Sequence, residues 1–95
     1  MKEADLAEMS MASVEVGGVR VLLSRMGGEV FAVSGTCTHE EADLGLGFMM
    51  EERVVCPLHL SQFDLRTGEV LGPPAVLGLK RFNVKIHEGT ILVEL

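Results

Sequence analysis

Two short patterns constrain this chain more than anything else in it. Cys37-Thr38-His39 and Cys56-Pro57-Leu58-His59 each pair a thiol with an imidazole, and sixteen residues separate His39 from Cys56. Thiolate and imidazole are the side chains that soft and borderline metals select. Residues i and i+2 of an extended segment point to one side, and i and i+3 meet across a turn. Each pair can therefore converge on one centre. A fold that uses both pairs must bring two loops together at one end.

The flanking sequence supplies strands to carry those loops. From Val14 onward the apolar period is two. Val14-Glu15-Val16 and Val19-Arg20-Val21-Leu22-Leu23 flank Gly17-Gly18, a hairpin signal. Gly27-Gly28 punctuates again before Val30-Phe31-Ala32-Val33. Near the end, Phe82, Val84 and Ile86 alternate with Arg81, Asn83 and Lys85; Glu88-Gly89 turns the chain and Ile91-Leu92-Val93 returns. Between these hairpins lies Thr36 to Pro74, rich in Cys, His, Gly and Pro, with strand-like Val54-Val55 and Gln62-Phe63-Asp64-Leu65 and a turn at Thr67-Gly68. The expected fold is all-β, an antiparallel sandwich or barrel with a loop-rich insertion. Asp5-Leu6-Ala7-Glu8 predicts a capping box opening about one helical turn.

Size and charge narrow the function. A chain of 95 residues buries roughly 60–65% of its unfolded surface, enough for one small core. The expected organisation is a single domain over 1–95, with a site-bearing part at about 35–75. Lys and Arg number 8 against 14 Asp and Glu, a net charge of −6, which disfavours nucleic acid and anionic membranes and leaves room for a basic partner protein. The apolar-plus-Gly run Leu44 to Met50 is far short of a membrane span. The N-terminus lacks an apolar signal core, so a cytoplasmic protein is expected. In a reducing cytoplasm Cys37 and Cys56 point to metal ligation or catalysis rather than a structural disulfide.

Three readings of the Cys/His pairs stand side by side. One is coincidence, with buried cysteine and surface histidine. Two independent pairs in so short a chain argue against it. The second is a structural zinc site in an interaction module. Ligand number and softness fit, but the order Cys-His then Cys-His, on loops between strands, is not that of a zinc finger. The third is a 2Fe-2S centre in which two His replace two Cys on one iron.

At these residues the chain resembles the Rieske ferredoxins. The family pattern is C-x-H, then 15 to 17 residues, then C-x-x-H, and the sixteen-residue spacing here lies inside it. Cys37-Thr38-His39-Glu40-Glu41-Ala42-Asp43-Leu44 is similar to the first cluster loop in the ferredoxin component of bacterial ring-hydroxylating dioxygenases. Gln62 to Glu69 resembles the strand and turn after the second loop, and Gly72-Pro73-Pro74-Ala75 the proline loop that covers the cluster.

The resemblance implies a Rieske fold and one 2Fe-2S cluster. Cys37 and Cys56 would bind the inner iron, and His39 and His59 the outer iron through Nδ1. It implies an electron carrier, not an enzyme on its own, that takes an electron from a flavoprotein reductase and passes it to a terminal oxygenase. A monomer is expected. The small Rieske-like subunit of an NADH-dependent nitrite reductase is the close alternative. Mixed ligation has a charge rationale: two ferric ions, two sulfides and two thiolates are neutral together, so an electron is added at higher potential than to an all-Cys cluster.

Departures from the family set the subclass. The two further cysteines of respiratory and photosynthetic Rieske proteins have Ala42 and Leu58 in their places. The tyrosine that donates to a cysteine sulfur in those proteins is missing; the chain has no Tyr, and Phe63 stands in that stretch. Ser61 remains as a donor toward a sulfide. Leu60 occupies a position where relatives usually have Gly; if the backbone needs φ > 0 there, Leu is strained by about 1 kcal/mol. Glu40, Glu41, Asp43, Glu51 and Glu52 form either solvated loop charge or an acidic docking rim. Met49 and Met50 read as core filler, and His87 as a surface residue.

Overall fold

The computed structural model describes residues 1–39 and 41–95. Among the described residues, nine strands form two antiparallel sheets. β1 (Ser10–Val16), β2 (Val19–Met26), β3 (Glu29–Ser34), β8 (Arg81–His87) and β9 (Thr90–Glu94) make the larger sheet in the order β1-β2-β3-β8-β9. β4 (Phe48–Met50), β5 (Arg53–Val55), β6 (Gln62–Asp64) and β7 (Val70–Gly72) make the smaller one, in chain order, inserted between β3 and β8.

The hairpins follow the turn chemistry of the sequence. Gly17 and Gly18 have φ 55° and 80°, and Val16 pairs with Val19 across them. Both central positions being left-handed matches the twist of the flanking strands, which only glycine meets without penalty. Glu88 and Gly89 make the equivalent turn between His87 and Thr90.

The run Val21-Leu22-Leu23 does not alternate apolar with polar because β2 is buried on both sides. Val21 and Leu23 enter one core with Leu6, Ala32, Phe82 and Ile91. Leu22 and Met26 enter a second core with Val33, Leu44, Val54, Phe63, Leu65, Ala75 and Leu79, and with both cysteines. This second core joins the larger sheet to the insertion. Phe63 at its centre is fully buried; truncating such a side chain to Ala costs about 3–5 kcal/mol.

Arg66 adds a polar tie between the two parts. Its guanidinium lies 4.9 Å from the centroid of the Phe31 ring on β3. It also donates to both carboxylate oxygens of Glu52, at 3.0 and 2.8 Å.

Two local expectations are corrected. The helical turn is a 3-10 turn over Glu3–Asp5, so Asp5 ends it rather than opening it. Glu8 is drawn elsewhere: its carboxylate accepts from the backbone N–H groups of Gly27 and Gly28, a stronger arrangement than a cap on one isolated turn. Met49 packs against the second core as read, but Met50 is exposed, because alternation along β4 turns it to the other face.

Candidate metal centre

Each Cys/His pair lies on a loop that is closed at its base. The first loop is closed at its base by the Thr36–Asp43 bridge, by Cys37 N–H donating to Ala42 O (2.9 Å) and by Leu44 N–H donating to Gly35 O (2.9 Å). The second loop caps the β5–β6 hairpin. Val55 pairs with Gln62, and Cys56 N–H donates to Ser61 O at 2.8 Å. In both loops cysteine is at the base and histidine at the tip. Burial follows: Cys37 and Cys56 are buried in the second core, and His39 and His59 are exposed.

The loops meet where the sequence requires. The His39 and His59 ring centroids are 5.4 Å apart, with the planes at 72°. Two imidazoles holding one metal at about 2.1 Å, with a tetrahedral angle between them, would have centroids roughly 5 Å apart. The observed spacing fits a shared iron. The donor set, two buried sulfurs below two outward imidazoles, fits a binuclear group with one inner and one outer metal.

Close approach of other segments holds the loops together. A Cβ on Gly47 would collide with the Val55 carbonyl oxygen and crowd Pro57 Cδ, so glycine at 47 lets the segment before β4 lie on the base of the second loop. The proline loop is pinned three times. Ala75 N–H donates to Ser61 Oγ (3.1 Å), Thr38 Oγ1 donates to Leu77 O (2.6 Å), and Leu79 N–H donates to Gly68 O (2.6 Å). Thr38 sits between Cys37 and His39, and Ser61 two residues beyond His59. Both loops thus hold the proline loop through side-chain hydroxyls. The part played by Thr38 has no signature in sequence, since its acceptor lies 39 positions away.

The backbone of the second loop is strained. His59 and Leu60 have φ of 62° and 61°. The left-handed requirement raised by the Gly-to-Leu departure is therefore real, and each such residue costs roughly 1–2 kcal/mol.

The acidic residues separate into unlike roles. Glu40 lies outside the described residues. Glu41 is exposed. Asp43 Oδ1 accepts from Gly45 N–H, and Oδ2 is 4.0 Å from Arg20 Nε, so Asp43 caps the 3-10 turn Leu44–Leu46. Glu51 and Glu52 are in the β4–β5 turn, at least about 13 Å along the strand from Cys56. Arg66 donates two hydrogen bonds to Glu52 and adds its charge, holding that carboxyl below its usual value.

The Rieske [2Fe-2S] domain model matches residues 1–83. This chain belongs to the Rieske [2Fe-2S] domain family. Its Rieske relatives include the ferredoxin component of biphenyl 2,3-dioxygenase from Rhodococcus jostii (strain RHA1), 37% identical over 91 residues, covering 96% of this chain and 85% of that one. Among solved structures, the ferredoxin of carbazole 1,9a-dioxygenase from Nocardioides aromaticivorans IC177 superposes with a TM-score of 0.91 at 34% identity, covering 98% of this chain and 91% of that one. A ferredoxin solved in complex with the oxygenase of carbazole 1,9a-dioxygenase matches with a TM-score of 0.89 at 29% identity, over 98% and 96% of the two chains. The all-β architecture is thus that of the Rieske ferredoxins, and the cofactor of the family is a Rieske 2Fe-2S cluster.

Proposed function

We propose that this chain is a one-electron carrier that accepts an electron from a flavoprotein reductase and delivers it to the terminal oxygenase of a multicomponent ring-hydroxylating system. Cys37 and Cys56 would hold one iron of the Rieske cluster, and His39 and His59 the other. Residues 1–95 act as one unit, with about 35–75 forming the cluster-binding part. The chain works as a monomer in the cytoplasm. Among the described residues no helix is long and apolar enough to cross a membrane.

The observation that carries this reading is the meeting of two exposed imidazoles, 5.4 Å apart, above two buried cysteines. When bound, the cluster supplies a site for one electron. The residues do the rest. Buried thiolates keep water from the inner side. The exposed imidazoles bring the centre to the surface, where a partner can approach closely. Loops closed at the base hold all four side chains in place before and after the electron moves, so little reorganisation is needed.

Reconstitution tests the reading. The purified holoprotein is combined with NADH and with the reductase and oxygenase components of the biphenyl and carbazole dioxygenase systems. Aromatic-substrate-dependent oxygen uptake that requires this chain is the expected result. Reduction of the oxygenase at the same rate with and without the chain would contradict it.

A further inference from the structure

The turn that presents His59 breaks a local rule with little gain in packing. His59 and Leu60 are both left-handed. His59 is needed there to face its partner imidazole. Leu60 is not needed for the turn, because glycine takes the same backbone at no cost. Nor does the fold recover the cost by burying it: Leu60 is 59% exposed. An apolar side chain that is both strained and unburied points to contact with something outside the chain.

Leu60 is one of a group. Leu58 is 48% exposed, and on the proline loop Val76 and Leu77 are 85% and 66% exposed. That loop is held firmly: Ala75 is tied to Ser61 and Leu77 to Thr38. Through Thr38 it lies next to His39, while Leu58 and Leu60 flank His59. Exposed apolar residues therefore lie on both segments next to the imidazole pair, and hydrogen bonds hold the backbone of the one that carries Leu77. Whatever receives an electron from the imidazoles must cover them.

We propose that Leu60 is a docking knob that enters an apolar recess beside the cofactor edge of the terminal oxygenase, and so helps set which oxygenase this chain serves. The inference rests on the electron-carrier reading. Charge argues against a second copy as occupant, because each chain carries −6. The oxygenase is favoured over the reductase because a close structural relative was solved bound to its oxygenase.

The test uses the holoprotein and the oxygenase component that the wild-type chain reduces fastest. Leu60→Gly and Leu60→Ala should each raise the KM for this chain in oxygenase turnover by roughly tenfold, the effect of losing most of one leucine contact. Leu60→Met, which keeps an apolar knob, should restore most of it. The visible spectrum and midpoint potential should stay at wild-type values in all three. Denaturant unfolding checks the backbone: at a left-handed position the folding constant of Leu60→Gly should exceed that of Leu60→Ala by about fivefold. An unchanged KM in Gly and Ala variants overturns the proposal. So does a KM that changes only together with the potential, which would make Leu60 a shaper of the cluster loop. A wild-type preparation lacking iron and labile sulfide would instead sink the electron-carrier reading itself.

Discussion

Ser61 Oγ, fully buried two residues beyond His59, accepts a hydrogen bond from the backbone N–H of Ala75 at 3.1 Å. The contact joins the second histidine loop to the proline loop. It uses the oxygen as acceptor and leaves the hydroxyl proton for a second partner, such as a sulfide.

Ser61→Ala removes that acceptor and leaves a buried N–H unpaired. The expected loss of stability is about 1–3 kcal/mol, read by denaturant unfolding of the holoprotein. If the hydroxyl proton donates to a sulfide of the bound cluster, its loss should also lower the midpoint potential. A variant with unchanged stability would show that water or another group satisfies Ala75.

Thr38→Val removes the hydroxyl that donates to Leu77 O while keeping the shape. The bond is worth about 0.5–1.5 kcal/mol, and its loss should appear locally. Amide exchange at Val76, Leu77 and Gly78 should quicken several-fold with the rest of the chain unaffected, and Thr38→Ser should reverse it. Uniform exchange across both variants would mean that Ala75 and Leu79 alone hold the loop.

How far the sequence disclosed this arrangement depends on the range of the signal. The hairpins at Gly17-Gly18 and Glu88-Gly89 were legible because a turn pair and a period of two are local features. The meeting of His39 with His59 was legible because metal chemistry restricts residue type and spacing together. β4 and β7 were not, since Phe48–Met50 and Val70–Gly72 are too short to show alternation and have neither the β-branched pair of β5 nor the alternating Gln62-Phe63-Asp64-Leu65 at β6. The capping box failed because tertiary contact with Gly27 and Gly28 captured Glu8. Glu51 and Glu52 could not be sorted from Glu41 in sequence, because their distance from the histidines is set by the β4–β5 turn.

The Glu52–Arg66 pair predicts a pH dependence. The Glu52 carboxyl is lowered from 4.5, chiefly by hydrogen bonds from Arg66, and Arg66 is raised, chiefly by the same bonds. A depressed folded-state pKa contributes stability that is present above the unfolded value and is lost as pH falls through the folded one. Arg66 stays protonated throughout that window. The stability difference between wild type and Glu52→Gln should therefore shrink as pH drops from about 6 to about 3, and should be small in high salt because the pair is exposed. Denaturation midpoints measured across that range check it; a constant difference would mean the pair contributes nothing.

The potential should lie at the low end for the family, roughly −150 mV rather than +300 mV. The chain has no tyrosine to donate to a cysteine sulfur, and fully buried Phe63 stands in that stretch. No second pair of cysteines braces the loops. Fewer hydrogen bonds to sulfur leave the reduced state less stabilised. Voltammetry at neutral pH gives the answer, and a midpoint well above zero would contradict it.

The central claim is that one iron of a 2Fe-2S cluster is held by His39 and His59 while Cys37 and Cys56 hold the other. Pulsed paramagnetic resonance of the reduced protein, made with nitrogen-15 histidine, tests this most directly. The account predicts strong coupling of the unpaired electron to two histidine nitrogens, falling to one or vanishing with the cluster in His39→Ala or His59→Ala. A reduced cluster without strongly coupled histidine nitrogen, or zinc without labile sulfide, would contradict it.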